Sequence, residues 1–336
     1  MINIAILGAG FMGSTHARAL STIEDAKVQM IYAHSPERGR PLANEVAAAF
    51  TQSIDEVLGN PRIDAIDICL PTPLHREMAE RALAAGKHVV LEKPIALTLE
   101  DADALVALSG GSDRVFMIAH VLRFWPEYAK LHELAASGDY GNPISAIAYR
   151  RQAYPAWSTL FSNAELTGGA VIDMLVHDFD ALNWLLGKPV AVSARGIKHP
   201  KYGGYDQAQV LIEYANGRSA VVDGGMMMPD SYPFTSSLQL LLERGALEYH
   251  FQAGGRSVEM GQGVNLLTRY PAEGNPEVIH CDPVDAYTAE LRYFIECIRE
   301  GVRAERATPA DARLALNVAL AAKRALELPT LTPVLL

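Results

Sequence analysis

Cysteine is scarce in this chain. The 336 residues hold three, Cys69, Cys281 and Cys297, and their odd number and wide spacing offer neither a disulfide framework nor a CxxC-type zinc site. No apolar run reaches the roughly 18 residues that cross a bilayer. Positive charge is also short: 29 Lys and Arg stand against 39 Asp and Glu, a formal net charge of −10. That balance argues against nucleic acid or an anionic membrane as partner. The 10 histidines are scattered with no HxxxH pair, so no metal is expected. There are no internal repeats and no low-complexity segments. The opening Met1-Ile2-Asn3-Ile4-Ala5-Ile6-Leu7 lacks a basic stretch and runs straight into a glycine loop, which reads as a strand and not a signal peptide. The expected compartment is the cytoplasm. What remains is a composition of 49% hydrophobic and 20% charged residues, ordinary for a globular enzyme and long enough for two domains with a core each.

The first third alternates strands and helices. Residues 2–7 form an apolar run, followed at once by Gly8-Ala9-Gly10-Phe11-Met12-Gly13 and a helical pattern over 14–20. A GxGxxG loop between strand and helix is what a dinucleotide-binding fold places at its first turn. Gly8 permits the tight turn, Gly10 lets the backbone approach a pyrophosphate, and Gly13 lets helix and strand pack closely. The helix N-terminus offers N–H groups to the phosphates. A second strand over 28–33 ends at His34-Ser35-Pro36-Glu37-Arg38, with no acid at its tip to hold a ribose 2′-hydroxyl. Ser35 and Arg38 then lean the cofactor from NAD toward NADP. The other reading is that Ser35-Pro36-Glu37 caps the next helix and Arg38 is solvated.

Further strands over 65–70, 88–92 and 115–119 alternate with helices over 74–85 and 99–108, which predicts a parallel sheet with ligands at its carboxyl edge. Lys93 stands one residue past such an edge; solvation, phosphate binding and catalysis are all open to a lysine there. Beyond residue 123 the pattern changes. A helix over 124–137 precedes strands over 144–152, 190–196, 208–214, 219–227, 236–243 and 246–251, which predicts a mostly antiparallel sheet. Amphipathic helices follow over 285–301 and 308–327. The fold class is therefore α/β: a dinucleotide-binding domain over 1–122 and a second α/β domain with a large open sheet over 123–336.

One stretch stands apart. Residues 170–186 read as a single helix, opened by Gly168-Gly169 and closed by Gly187 and Pro189, with apolar residues all round it. Such a helix is buried, yet it carries Asp173 and His177, four apart on one face. A buried carboxylate needs a partner or a ligand. From the residues alone, a structural Asp–His pair and a functional one are both open.

These motifs resemble the Gfo/Idh/MocA family, named for glucose–fructose oxidoreductase, inositol dehydrogenase and a rhizopine catabolism protein. The residues that carry the resemblance are the 8–13 loop, Thr72-Pro73 with His75, Ala85-Gly86-Lys87-His88-Val89 leading into Glu92-Lys93-Pro94, Arg123-Phe124, and Gly168-Gly169 with Asp173 and His177. It covers nearly the whole chain. It implies a Rossmann domain, a second domain whose open sheet forms a homodimer or homotetramer, and hydride transfer between NAD or NADP and a hydroxyl of a sugar, cyclitol or related polyol. It also implies that Lys93 contacts the reacting hydroxyl and the nicotinamide ribose, that Asp173 binds substrate and orients its neighbours, and that His177 shuttles the proton. The cofactor is then expected against Gly8, Gly10, Phe11, Met12, Gly13, His34, Ser35, Arg38, Leu70, Pro71, Thr72, His75, Glu92 and Lys93. The substrate is expected against Lys93, Asp173, His177 and Trp157, the last either a stacking platform or a plain buried ring. NAD-dependent glycoside hydrolysis and a non-catalytic dinucleotide sensor are the alternatives within the fold. A sensor of this kind can lose the lysine or histidine, and both are present. The apolar Met226-Met227-Met228 run, with no evident cover, points to the open sheet as the oligomer contact.

Overall fold

The structure is a computed structural model, which describes residues 1–155, 163–201, 203–253 and 263–336. The chain divides into two compact units, Met1–Trp125 with Val284–Arg313, and Pro126–Pro283 with Leu314–Leu336.

The first unit holds strands β1 (Ile2–Leu7), β2 (Ala26–Tyr32), β3 (Ala49–Thr51), β4 (Ala65–Ile68), β5 (His88–Glu92) and β6 (Phe116–Ala119). They pair in parallel in the order β3-β2-β1-β4-β5-β6. Helices α1 (Phe11–Leu20), α2 (Pro36–Glu45), α3 (Ile54–Leu58), α4 (His75–Ala84) and α5 (Leu99–Gly110) connect them. Every residue of β4 and β6 is buried, as a parallel sheet covered on both faces requires. The order reverses between β1 and β4, so the ligand-binding crevice of such a sheet lies outside their carboxyl ends. The sequence pattern does not contain β3 and α3, because a three-residue edge strand and a five-residue helix carry no readable period.

The second unit is a nine-stranded sheet. Its strands are β7 (Pro143–Ala153), β8 (Pro189–Lys198), β9 (Tyr205–Tyr214), β10 (Ser219–Met228), β11 (Thr235–Leu242), β12 (Gly245–Gln252), β13 (Val264–Pro271), β14 (Glu277–Ile279) and β15 (Val334–Leu335). The order is β14-β13-β12-β11-β7-β10-β9-β8-β15, antiparallel except between β7 and β10. Helices α6 (Pro126–Ala136), α7 (Ala164–Thr167), α8 (Ala170–Asp173) and α9 (Val176–Leu186) belong to this unit. β9 shows why only one face is covered: Asp206, Ala208, Val210, Ile212 and Tyr214 are buried, while Gln209, Leu211 and Glu213 between them are exposed. Ile147, Val221 and Leu211 form one row on the open face, 52%, 38% and 37% exposed. The methionine run divides between the faces, since Met226 is buried and Met227 exposed. Period-two alternation requires this of neighbours in a strand.

After the sheet the chain returns to the first unit with α10 (Ala286–Glu300), and α11 (Pro309–Leu326) follows. A second domain running unbroken over 123–336 therefore does not describe the chain. The cause is apolar packing: Leu291, Phe294, Ile295 and Cys297 of α10 enter the same core as Ile4, Ile6, Leu20, Ile31 and Met117. The periodicity of 285–301 says that this face is covered, and does not say by what. Asp285 caps the helix by accepting the Thr288 N–H at 2.8 Å, and Gly301 closes it at φ 68°.

Candidate active site

The three glycines of the first loop differ in what confines them. Gly8 sits at φ +117°, and a Cβ there would lie 2.4 Å from the Cys69 carbonyl oxygen. A Cβ on Gly13 would lie 2.0 Å from the Gly8 carbonyl oxygen. Gly10, at φ −86°, would present a Cβ to nothing within 4 Å. Two glycines are thus demanded by the fold, and the third faces open space at the N-cap of α1. The first turn of α1 carries no acid, and its leading N–H groups lack partners within the helix. A diphosphate fits this donor set.

Tyr32, Leu7, Ile68 and Leu91 form one row across the sheet, so the loops that follow them leave from one edge. His34 and Arg38 are exposed there and Ser35 is half-buried. Ser35 Oγ donates to Glu37 Oε2 at 2.7 Å, which holds the Glu37 carboxyl below its usual range. An acid thus stands beside Ser35 although none occupies the strand tip. After β4, Leu70 and Thr72 are half-buried and Pro71 is exposed. His75 is buried, with Nδ1 2.9 Å from the Pro94 carbonyl oxygen and Nε2 2.9 Å from that of Leu70. Burial holds its pKa below that of a free imidazole. The ring therefore stands between the turns after β4 and β5, and its N–H donates to one of these two carbonyls.

Glu92 ends β5 almost fully buried, and its Oε2 accepts the Lys93 peptide N–H at 3.0 Å. Lys93, half-buried, leads into a cis peptide bond with Pro94. Burial pushes the Glu92 carboxyl up, but the His16 contact and the positive charge of Lys93 hold it below the ordinary carboxylate range.

In the second unit the expected helix over 170–186 is two helices, α8 and α9. Leu175 N–H donates five residues back to the Ala170 carbonyl at 2.9 Å, which widens the turn and ends α8. Gly168 and Gly169 lead in at φ 78° and 75°, and a Cβ on Gly168 would lie 2.6 Å from the Ile172 side chain. Asp206 Oδ1 accepts the Ala170 N–H at 3.1 Å and so fixes where α8 begins. Asp173 ends α8 and His177 lies in the first turn of α9. Between 170 and 186 every side chain is buried except Asp173, His177 and Trp184, and Trp184 stacks on His132 with ring centroids 3.7 Å apart. Trp157 lies outside the described residues.

The sequence pattern of an oxidoreductase family with an NAD-binding Rossmann fold, Gfo/Idh/MocA, matches residues 2–120, and that of the Gfo/Idh/MocA C-terminal domain matches 128–248. The chain belongs to the Gfo/Idh/MocA family. It is 28% identical to scyllo-inositol 2-dehydrogenase (NAD(+)) of Bacillus subtilis, over 96% of this chain and 93% of that one. It is 30% identical to 1,5-anhydro-D-fructose reductase of Ensifer adhaerens, over 87% and 86% of the two chains. Its fold is like that of aldose-aldose oxidoreductase from Caulobacter crescentus, with a TM-score of 0.86, 22% identity and coverage of 100% and 99%.

For this Gfo/Idh/MocA chain, sequence reasoning passed over three supports of the candidate residues. Arg150 of β7 binds Asp178 through two hydrogen bonds, Nε to Oδ2 at 2.7 Å and Nη2 to Oδ1 at 3.0 Å, with both side chains buried. That pair anchors the first turn of α9 beside His177. Asp206 anchors α8, and His16 with Asp67 lies buried under the glycine loop. Of these only Asp67 had a faint signal, a charged residue set between Ile66 and Ile68 in an apolar strand.

Proposed function

We propose that this oxidoreductase moves hydride between NAD(P) and a secondary hydroxyl of a sugar, cyclitol or related polyol. The observation that carries the reading is the exposure pattern of 170–186, where Asp173 and His177 keep surface in a segment otherwise packed into the core. A pair that only satisfied a buried helix would be covered like its neighbours. Oxidising the alcohol takes hydride from carbon and a proton from oxygen. Bound nicotinamide supplies the hydride acceptor. His177 takes the proton, because a free imidazole titrates near working pH. Lys93 stabilises the developing alkoxide with its charge, and Asp173 orients the hydroxyl and the imidazole. The 8–13 loop holds the diphosphate, and His75 and Glu92 hold the turns around it.

The Glu37 carboxylate on Ser35 turns the cofactor preference from NADP toward NAD, since it repels a 2′-phosphate. Titration of both dinucleotides checks this, and Glu37→Gln should tighten NADP. The open sheet face with Ile147, Val221 and Leu211 is read as the contact of a homodimer or homotetramer. A monomer in sedimentation at micromolar concentration would refute that. Three thiols without disulfide partners fit the cytoplasm.

The deciding experiment is a panel of inositols, aldoses, anhydro sugars and polyols with NAD and with NADP, followed at the absorbance of reduced nicotinamide. Steady reduction with at least one cyclitol or sugar is expected. Cleavage of a glycoside with no net reduction would instead identify the hydrolase of this fold. Dinucleotide binding with neither activity would identify a sensor.

A further inference from the structure

Beneath the glycine loop the first unit buries more charge than a core needs. His16 of α1, Asp67 of β4 and Glu290 of α10 have no exposed surface, and Glu92 keeps 6%. His16 Nδ1 lies 2.9 Å from Asp67 Oδ2, and its Nε2 lies 3.2 Å from Glu92 Oε1. The second contact is an ion pair whose angle falls short of a good hydrogen bond. Cys69 Sγ closes the side, 3.5 Å from Nδ1 and 3.3 Å from Asp67 Oδ1. The Tyr287 ring stands 6.1 Å from the imidazole. The other oxygen of Glu92 accepts the Lys93 N–H. An unbroken line of contacts therefore runs from Asp67 through His16 and Glu92 to the Lys93 backbone.

Such a buried triad is poor value as stability, because well-packed apolar side chains of the same volume usually do as well or better. Its protonation states suit a bridge. Burial pulls the His16 imidazole down, yet the Asp67 carboxylate leaves it well above its ordinary value, which favours the charged ring between the two carboxylates. Glu290 has no hydrogen-bond partner for either oxygen among the described residues, and burial pushes it well above the usual carboxylate range. That favours its protonated form and leaves His16 to Asp67 and Glu92.

We propose that His16 is a positioning residue for Lys93, fixing the Glu92 carboxylate on the Lys93 peptide N–H and so setting where that side chain leaves the sheet. The role rests on the reading of Lys93 as the group that meets the reacting hydroxyl. The link is to Glu92, so the two amide replacements of His16 should part company. The short Asn amide reaches toward Asp67 only, whereas the Gln amide reaches the place of Nε2.

The test uses the full chain and four readouts: amide exchange resolved to Lys93, thermal melting, NADH titration, and turnover with NAD and myo-inositol or the best polyol of the panel. His16→Asn should speed exchange at Lys93 about 10-fold while β5 amides change less than about 2-fold. Its kcat should fall about 100-fold, the scale of a misplaced catalytic group, with the NADH Kd within about 3-fold. His16→Gln should restore most of both. In a Lys93→Met background His16→Asn should lower kcat no further, because its effect passes through Lys93. Unchanged exchange at Lys93, identical behaviour of Asn and Gln, or an equal loss of kcat in the Lys93→Met background would overturn the proposal. Should Lys93→Met alone keep wild-type kcat, the reading of Lys93 fails by itself, while the exchange result still decides whether His16 holds the turn. If His16→Asn does not fold, Glu92→Ala breaks the same line from the other end and must free the Lys93 amide.

Discussion

Gly10→Ala should separate cofactor binding from folding. Its backbone, φ −86° and ψ −164°, is extended and open to any residue, and the new methyl meets no atom within 4 Å. Replacing Gly by Ala at such a site gains about 0.4–1 kcal/mol from the unfolded chain. Ala is a poorer N-cap by about 1 kcal/mol, so stability should stay within about 1 kcal/mol of wild type. The methyl occupies the space over which a diphosphate must close. Losing one charge-assisted N–H contact costs about 1.5–3 kcal/mol. That is about a 10- to 150-fold rise in the Kd for NADH. Gly13→Ala is the counterpart: its Cβ would stand 2.0 Å from the Gly8 carbonyl oxygen, so backbone must move. Overpacking of that kind costs about 1–3 kcal/mol. A thermal melt and an NADH fluorescence titration on each variant suffice. Wild-type NADH affinity in Gly10→Ala would show that the phosphates do not lie over this residue.

Two further outcomes follow from buried charge. Asp178→Ala strands the Arg150 guanidinium and should destabilise the chain by about 3–5 kcal/mol, while Arg150→Met with Asp178→Leu recovers most of it; a melt of Asp178→Ala within a degree of wild type would refute the pairing. Burial raises Glu290 in the folded chain, so the unfolded chain releases this proton first, above its ordinary value of 4.5, and wild-type stability falls as pH rises from there toward the raised folded value. The stability that His16 gains from Asp67 is complete below 6.5 and is lost as pH climbs through its raised folded value, which adds to the same trend. Glu290→Gln removes only the first effect, so its advantage over wild type should grow as pH rises above 4.5 toward the raised folded value; a difference flat in pH would contradict a raised Glu290.

The first sheet, apart from the edge strand β3, was legible because each strand and its loop are contiguous and the apolar runs are short and clean. Gly8, Gly10 and Gly13 carry separate roles in the sequence pattern, and the crowding around Gly8 and Gly13 fits a tight turn and close packing. The break between α8 and α9 was not legible, since one continuous apolar pattern over 170–186 fits one helix or two and only the Leu175 to Ala170 bond decides. The return of α10 to the first core was hidden for a similar reason: an amphipathic face names no partner. Buried ionic supports such as Arg150 with Asp178 join residues 28 apart in sequence, and nothing local marks them. Glu37 was visible in the sequence, but that its carboxylate turns back onto Ser35 depends on the geometry of the α2 start.

The most direct test of the chemistry is turnover by His177→Ala, with kcat, melting temperature and NADH affinity measured on one preparation. Loss of a positioned base predicts a fall in kcat on the order of 100- to 10,000-fold. NADH should bind as in wild type, and the melt should shift little, because His177 is only half-buried. Wild-type turnover in folded His177→Ala, with only the melting temperature lowered, would contradict the proton-transfer role and leave the Asp173–His177 pair a structural one.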